Sequence, residues 1–323
     1  SNIVAYYVEE SGGNAILEAG FTMAAAIALT EECISTGLHP DEFLPRCGFH
    51  LAQGSDFFEE ICKVRAMRRV WAKINKERFG CTNPRSMSFR MHSQGSAITL
   101  VAQQPLNNVV RSTLQTLGAV LAGANSIQTN SYLEAISTPT EESHILALRT
   151  QQIILHETNI PNVSDPLAGS YYVECLTTKI EEEIFKTIEK VEEKGGYIKC
   201  WESGWLKDEI TKSAHKWRQK IDTGEKTIVG LNKYVTEDQQ EVPSFKYPEI
   251  EDEMIERLKA YRAKRDNNKL NIAMKNLKET ALKVNDTWPE HSGELMPAVI
   301  EAAKAKATLG ELQGALREVF GWA

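Results

Sequence analysis

The chain has 323 residues, which is enough for one large domain or two domains of ordinary size. Its content of 42% hydrophobic and 25% charged residues is typical of a soluble globular protein. The net charge of −7 and the pI near 5.7 argue against nucleic-acid binding, because no basic face dominates to neutralise phosphates.

Neither a membrane segment nor a metal site is predicted. No apolar run approaches the roughly 18 residues of a membrane span, and no signal peptide opens the chain. The six cysteines form no C-x-x-C pair and no zinc-like spacing. We therefore expect reduced thiols and a cytoplasmic location.

Four strands are predicted in the first 137 residues, each followed by a helix or by the start of one. Alternating apolar and polar residues indicate the strands, and apolar residues at helical spacing indicate the helices. In the second helix, Lys63, Arg65, Arg68 and Arg69 recur at helical spacing and are interpreted as a solvated face. The strands are residues 3–8, 43–52, 86–94 and 126–129, and the helices are residues 15–36, 57–79 and 109–121.

These βα units predict a parallel α/β sheet of the TIM-barrel type. Four units are half of a closed eight-stranded barrel, and a free-standing half would leave two edges exposed. We therefore expect the other half to come from a partner segment on this or another chain.

After residue 137 the pattern becomes mostly helical. A turn at residues 165–170 leads into a short predicted strand at 171–173, and residues 236–248, with two prolines, are interpreted as a linker. The predicted domains are residues 1–137, 138–235 and 236–323. Helices are expected at residues 138–158, 176–193, 203–221, 250–282 and 295–319.

Polar residues follow the third and fourth predicted strands, at 92–96 and 129–131, with Glu134 just beyond. In parallel α/β sheets, ligands bind at the carboxyl ends of the strands. These loops are therefore the predicted site of chemistry.

Six short motifs occur in order along almost the whole chain. They are RMHSQGS (90–96), AQQP (102–105), NNVVR (107–111), QTNS (128–131), DPLAGSY (165–171) and IVGLNKY (228–234). Together they resemble the acyl-CoA mutases that use adenosylcobalamin, with the methylmalonyl-CoA mutase catalytic chains as the nearest group. Because the resemblance covers almost the whole chain, it is more specific than a single motif.

The resemblance implies that the four strands are strands five to eight of the family's substrate-binding barrel. It also implies a radical carbon-skeleton isomerisation of methylmalonyl-CoA or succinyl-CoA, in which the cofactor carries the difficult chemistry and the protein orients and shields it. The first barrel half and the D-x-H-x-x-G motif of the B12-binding module are absent. The expected partners are therefore an acyl-CoA, a B12-binding subunit or domain and a first-half barrel segment, in a dimer or hetero-oligomer.

The resemblance also implies a catalytic and a substrate-binding set. Tyr7 occupies the position of a family histidine that binds the thioester carbonyl, and the alternative is a barrel-lining aromatic residue. Gln94 matches a glutamine that binds substrate or adenosine. Arg46, expected on the second strand near its carboxyl end, would contact coenzyme A with Cys47 and Gly48, or would pair with a barrel carboxylate.

Five residues match the family's cofactor-binding positions. Glu10 would lie beside the cofactor, or is a helix-start carboxylate favoured by the helix dipole. Ala97 stands where a glycine lets the corrin approach, and Asn130 and Ser137 belong to the last strand's loop. Glu134 would hold the adenosyl ribose, since a carboxylate can accept from two hydroxyls.

Three functions stay open at this point. The chain is the catalytic part of such a mutase, with isobutyryl-CoA or 2-hydroxyisobutyryl-CoA as alternative substrates. Alternatively, it is a non-catalytic structural subunit, which the tyrosine at position 7 and the glycine at position 48 favour. The third possibility is a fragment without independent function.

Overall fold

Four strands form one parallel sheet in the order of the chain. The computed structural model describes residues 2–236, 245 and 248–321. The sheet order β1-β2-β3-β4 confirms the predicted α/β class and the parallel pairing. All four carboxyl ends therefore lie at one edge of the sheet. The strands are β1 (Asn2–Val4), β2 (Gly48–Gln53), β3 (Met91–Gly95) and β4 (Ser126–Gln128).

Helices connect and follow these strands. A 3-10 turn, Leu44–Arg46, precedes β2, a π-helical turn, Ile74–Arg78, extends α4, and a second 3-10 turn, Ala97–Thr99, follows β3. The helices up to residue 222 are α1 (Tyr6–Glu10), α2 (Ala15–Ser35), α3 (Pro40–Phe43), α4 (Phe57–Lys73), α5 (Asn107–Leu121), α6 (Glu141–Glu157), α7 (Tyr171–Glu193), α8 (Tyr197–Glu202) and α9 (Trp205–Asp222).

The chain divides into two compact units, residues 1–245 and 246–323. The second unit packs its helices around Leu277, Ala298 and Ala302. The domain boundaries predicted after residues 137 and 235 stay predictions, and the predicted linker lies largely outside the described residues. The helices of the second unit are α10 (Glu251–Ala263), α11 (Asn267–Thr287), α12 (Leu295–Lys304) and α13 (Leu309–Phe320).

The two faces of the sheet differ in chemistry. Side chains alternate between the faces of a strand, and one set packs into the core against the helices. The core set includes Phe49, Leu51 and Met91, each at most 2% exposed. The opposite face, here called the open face, is more exposed and more polar. It carries Val4, His50, His92 and Ser126 in one row and Ala52, Gln94 and Gln128 in the next.

All four strands are shorter than predicted, and β3 begins only at Met91 and not at residue 86. β1 ends at Val4, and the residues expected to continue it, 6–10, form α1. Before β2, His39 and Glu42 form a capping box for α3, and the 3-10 turn follows directly. These local hydrogen bonds hold residues 40–46 in helical turns, so β2 begins only at residue 48.

Other predicted elements were wrong in detail. Residues 171–173 are the first turn of α7, because Glu174 accepts from the Gly169 N–H and from Arg65 and Arg69 of α4. The predicted helix 250–282 is two helices, and Asp266 caps the second. The predicted helix 295–319 is also two, since Thr308 begins a new helix with a capping box. In the described residues, no helix combines the length and apolar character needed to cross a membrane.

The predicted solvated face of the second helix was also wrong. Lys63 is 0% exposed and lies among carboxylates. Arg65 and Arg69 bind Glu174 of α7, and Arg68 donates to the carbonyl of Gly123. Helix α7 packs on this side of α4, so periodicity alone misassigned the face.

Gly12, just after α1, allows helix α9 to pack closely against the backbone. Gly37 has a similar backbone conformation but no such neighbour, so the two glycines can be compared. The φ of Gly12 is +94°, and an added Cβ would lie 2.4 Å from the Cβ of Ala214 in α9. Gly37 has a similar φ of +89°, but an added Cβ would meet nothing within 4 Å. Gly37→Ala should cost about 1 kcal/mol in the free energy of unfolding, and Gly12→Ala about 1–3 kcal/mol more, because overpacking adds to the backbone strain. Urea denaturation of the full chain measures both, and equal losses would contradict the packing explanation.

Candidate functional site

Helix α1 places two tyrosines at the carboxyl edge of the sheet. The Ala5 N–H donates to the carbonyl of His50 at 2.9 Å, and the chain then turns into the helix. The Tyr6 ring stacks on the His50 ring, with centroids 5.3 Å apart and planes at 24°. Tyr7 contacts Tyr6 edge-on and is 69% exposed. Tyr7 therefore lies on a helical turn and not on a strand, and its catalytic role stays a prediction.

Gln94 lies on the open face of β3, paired with a histidine. Its Oε1 lies 3.0 Å from Nε2 of His50, and both side chains are half-buried. His92 lies one row earlier, where its Nδ1 is 2.8 Å from the Ser126 hydroxyl oxygen. Burial and the neighbouring His50 lower the pKa of His92.

Glu10 ties the end of α1 to the loop after β3. Its Oε1 accepts from the Ala97 N–H at 2.7 Å and from the Ser96 hydroxyl at 3.0 Å. The Tyr6 hydroxyl also hydrogen-bonds Glu10. Burial, followed by the charges of Glu10 and Glu134, raises the pKa of Tyr6. Tyr6 therefore remains a neutral hydrogen-bond donor at this edge.

Glu134 approaches the same place from the loop after β4. Its side chain is exposed, but partial desolvation raises the pKa of the carboxyl, and the charge of Glu10 raises it further. In the part of the chain that the structure describes, the Glu134 carboxylate has no hydrogen-bond partner. It is therefore an exposed pair of acceptor oxygens in the loop after β4.

The other predicted cofactor residues have mixed surroundings. Asn130 is 3% exposed and donates from Nδ2 to the Gly95 carbonyl at 2.6 Å, while its Oδ1 is buried with no partner among the described residues. The Ser137 hydroxyl donates to the carbonyl of Thr138 at 3.2 Å. Ala97 is placed beside this edge by its bond to Glu10. The roles of all three stay predictions.

The expected substrate-binding set lies at the other end of β2. Arg46 is in the 3-10 turn before the strand, so its predicted position on the second strand near the carboxyl end was wrong. Cys47 is 4% exposed and points its thiol to the carbonyl of Phe43, and burial raises its pKa. Gly48 begins the strand. Any contact of these residues with coenzyme A would therefore be at the amino edge.

A buried charge cluster lies beneath the carboxyl edge. The Lys63 ammonium binds Glu18 at 2.5 Å, Glu60 at 2.6 Å and the Ala52 carbonyl at 3.0 Å. Glu9, the neighbour of Glu10, lies 3.5 Å from it. Burial lowers the pKa of Lys63, but the carboxylates outweigh burial and raise it well above its ordinary value.

Three carboxylates share this single cation, so not all of them are ionised at neutral pH. Burial, then the charge of Glu60, raises the pKa of Glu9 well above its ordinary value. Burial raises the pKa of Glu18 to about 7. The cluster therefore retains protons in the folded chain that an unfolded chain would release.

Glu9→Gln should stabilise the protein above neutral pH. A raised carboxyl pKa means that the folded chain binds more protons than the unfolded chain between about pH 4.3 and the raised pKa, so stability falls as pH rises through that window. The amide keeps the shape of Glu9 without the charge, and should add at least about 1 kcal/mol to the free energy of unfolding near pH 8. Urea denaturation between about pH 5 and pH 8 tests this. Exposed Glu77→Gln is the control, and an unchanged pH slope in Glu9→Gln would contradict the assignment.

A cleft of about 600 Å³ lies beside this edge, lined by α5, by the segments that follow β2 and β3, and by residues 226–229. None of the predicted site residues lines it. Tyr6, His50, Glu9 and Lys63 were not predicted as site residues. The sequence did contain a signal for His50. It lies between the apolar residues Phe49 and Leu51, and this alternation places its side chain on the opposite face of the strand, which is the open face.

Fold and site together define a parallel α/β protein with a polar edge at the carboxyl ends of its strands. Within the described ranges, no group of three or more His, Cys, Asp or Glu side chains could hold a metal ion. The family model described as methylmalonyl-CoA mutase matches residues 2–322. The chain belongs to the methylmalonyl-CoA mutase family.

The curated relatives are longer than this chain, which spans about half of their length. The 2-hydroxyisobutanoyl-CoA mutase large subunit of Aquincola tertiaricarbonis is 43% identical over 99% of the chain and 56% of the relative. The probable mitochondrial methylmalonyl-CoA mutase of Caenorhabditis elegans is 39% identical over 99% of the chain and 42% of the relative. The human mitochondrial methylmalonyl-CoA mutase is 36% identical over the same shares.

Proposed function

We propose that this chain is the catalytic-chain part of an adenosylcobalamin-dependent acyl-CoA mutase. Its four parallel strands would form the second half of a (β/α)8 barrel, with the open face lining the interior. The polar rows of the open face support this, because a sheet face without cover exposes side chains that a complementary half would enclose.

The single observation that carries the proposal is the exposed carboxylate of Glu134 in the loop after β4, which has no hydrogen-bond partner among the described residues. The adenosyl ribose presents two hydroxyl donors, and Glu134 offers two acceptor oxygens without a partner among the described residues. Glu10 is already held by Ser96 and Ala97, so it would shape the wall of the site. Gln94 and Tyr7 would face the acyl group. When bound, the cofactor supplies the radical chemistry, and these residues bind, orient and exclude water.

Two kinds of acyl-CoA are candidate substrates. The family resemblance supports methylmalonyl-CoA or succinyl-CoA. The 43% identity to a 2-hydroxyisobutanoyl-CoA mutase large subunit favours a hydroxyacyl-CoA as the second candidate. That relative's designation as a large subunit also supports a hetero-oligomer, with a first-half barrel segment and a B12-binding subunit or domain as partners. The cytoplasmic location stays a prediction.

The test assembles the chain with a first-half barrel segment and a B12-binding module, and adds adenosylcobalamin. Each acyl-CoA is then supplied separately, and the isomeric product is measured by mass spectrometry. Product from one of them identifies the substrate. Cofactor binding without any product would favour the structural-subunit alternative, and in that case Tyr7→His would leave substrate affinity unchanged. Absence of both binding and product would refute the proposal.

A further inference from the structure

The open face holds a histidine–glutamine pair at its centre. His50 and Gln94 lie on adjacent parallel strands, and Nε2 of His50 is 3.0 Å from Oε1 of Gln94. An amide oxygen can only accept, so the histidine must donate from Nε2. That bond leaves both N–H groups of the Gln94 amide without a partner among the described residues.

The histidine ring is itself held in place. Tyr6, which is 9% exposed, stacks on it, and the His92 ring contacts it edge-on at 4.8 Å. By contrast, the terminal torsion of a glutamine is broad, and its amide can turn by half a circle with little steric cost. The direction of the Gln94 amide therefore depends on its bond to His50.

We propose that His50 is a positioning residue that holds the Gln94 amide with its N–H groups directed to the open face, where they donate to the carbonyl oxygen of an acyl thioester. This inference rests on the proposed function, in which an acyl-CoA occupies that face. A carbonyl oxygen accepts hydrogen bonds and cannot donate. It therefore binds when the N–H groups of the Gln94 amide face it, and it is repelled when the amide oxygen faces it.

Three variants in the assembled enzyme separate positioning from packing. His50→Phe keeps a flat ring against Tyr6 and removes the donor, His50→Gln restores a donor, and His156→Phe, at an exposed histidine of α6, is the control. His50→Phe should lower kcat/KM by about tenfold to a hundredfold, which corresponds to one misdirected hydrogen-bonding group. His50→Gln should recover most of that loss, and His156→Phe should change kcat/KM by less than about threefold. Equal losses in His50→Phe and His156→Phe, or no recovery in His50→Gln, would overturn the proposal.

A second measurement does not depend on activity. Ring nitrogen NMR of the histidines in the full chain should place the His50 proton on Nε2, and the signal should change in Gln94→Leu. A proton on Nδ1 would overturn the positioning role even if the enzyme is active. If the proton is on Nε2 and the unmodified enzyme forms no product, the proposed function fails and the histidine–glutamine pair stands as a structural feature.

Discussion

Glu134→Gln is expected to weaken the binding of adenosylcobalamin by the assembled enzyme about tenfold to a hundredfold. A carboxylate accepts from two ribose hydroxyls in charge-assisted hydrogen bonds, and an amide offers only one acceptor oxygen. Hydrogen bonds to a charged group contribute about 1.5–3 kcal/mol, which gives the expected range. Absorbance titration with the cofactor measures the change.

Two comparisons make this result specific. Hydroxocobalamin has no adenosyl group, so its affinity should be the same with and without the substitution. Glu142→Gln, in the first turn of α6, is the control and should leave both affinities unchanged. Equal weakening of both cobalamins would show that Glu134 acts on the fold of the loop and not on the ribose.

The raised pKa of Glu134 adds a pH dependence. The carboxylate must be ionised to accept from both hydroxyls, and burial with the charge of Glu10 keeps it protonated to higher pH than an ordinary glutamate. The affinity for the adenosyl cofactor should therefore fall as pH is lowered, and should begin to fall above the usual glutamate range near pH 4.3.

Lys63→Met should produce the largest loss of stability in the first unit. The substitution keeps the length of the side chain but removes the ammonium that Glu9, Glu18 and Glu60 contact among the described residues, so the carboxylates of this buried cluster lose their neutralising charge or must take up protons. Breaking a buried ion pair in this way costs about 3–5 kcal/mol in the free energy of unfolding. Urea denaturation of the full chain measures the loss.

The matched control lies on the same helix. Lys73 of α4 pairs with Glu181, but its side chain is 51% exposed, so Lys73→Met should cost less than about 1 kcal/mol. Adding Glu18→Gln and Glu60→Gln to Lys63→Met should recover part of the stability, because the uncompensated charges are removed. A Lys63→Met loss no larger than that of Lys73→Met would contradict the buried cluster.

The cluster links stability to the site through neighbouring residues. Glu9 is bound to Lys63, and Glu10 holds the loop after β3. Glu18 also accepts from the Ala52 N–H in β2 at 2.7 Å. The ends of β1, β2 and β3 are therefore connected through Glu9, Lys63 and Glu10, and their relative positions follow from buried contacts.

Much of the fold could be predicted because its signals are local. The apolar and polar alternation that predicts β3 and the helical spacing at 109–121 each lie within one segment, and the four strands were placed in the right order, although residues 86–90 lie outside β3. The polar loops at the carboxyl ends of the third and fourth strands could be found for the same reason, whereas the roles of Gln94 and Glu134 come from the family resemblance and stay predictions. A strand must end in a loop, and parallel strands end at one edge.

The rest depended on contacts between residues far apart in the chain. Lys63 carries the helical spacing of a surface residue, but Glu18, which neutralises it, lies 45 positions earlier. Arg46 was expected near the carboxyl end of a strand, and the capped turns of residues 40–46 placed it at the amino end. The sequence by itself determined the strand order, the parallel class and the polar loops, since period and composition are read from neighbouring residues. Only the tertiary structure decided which charges are buried and how His50 meets Gln94, because burial and pairing arise when separate segments pack.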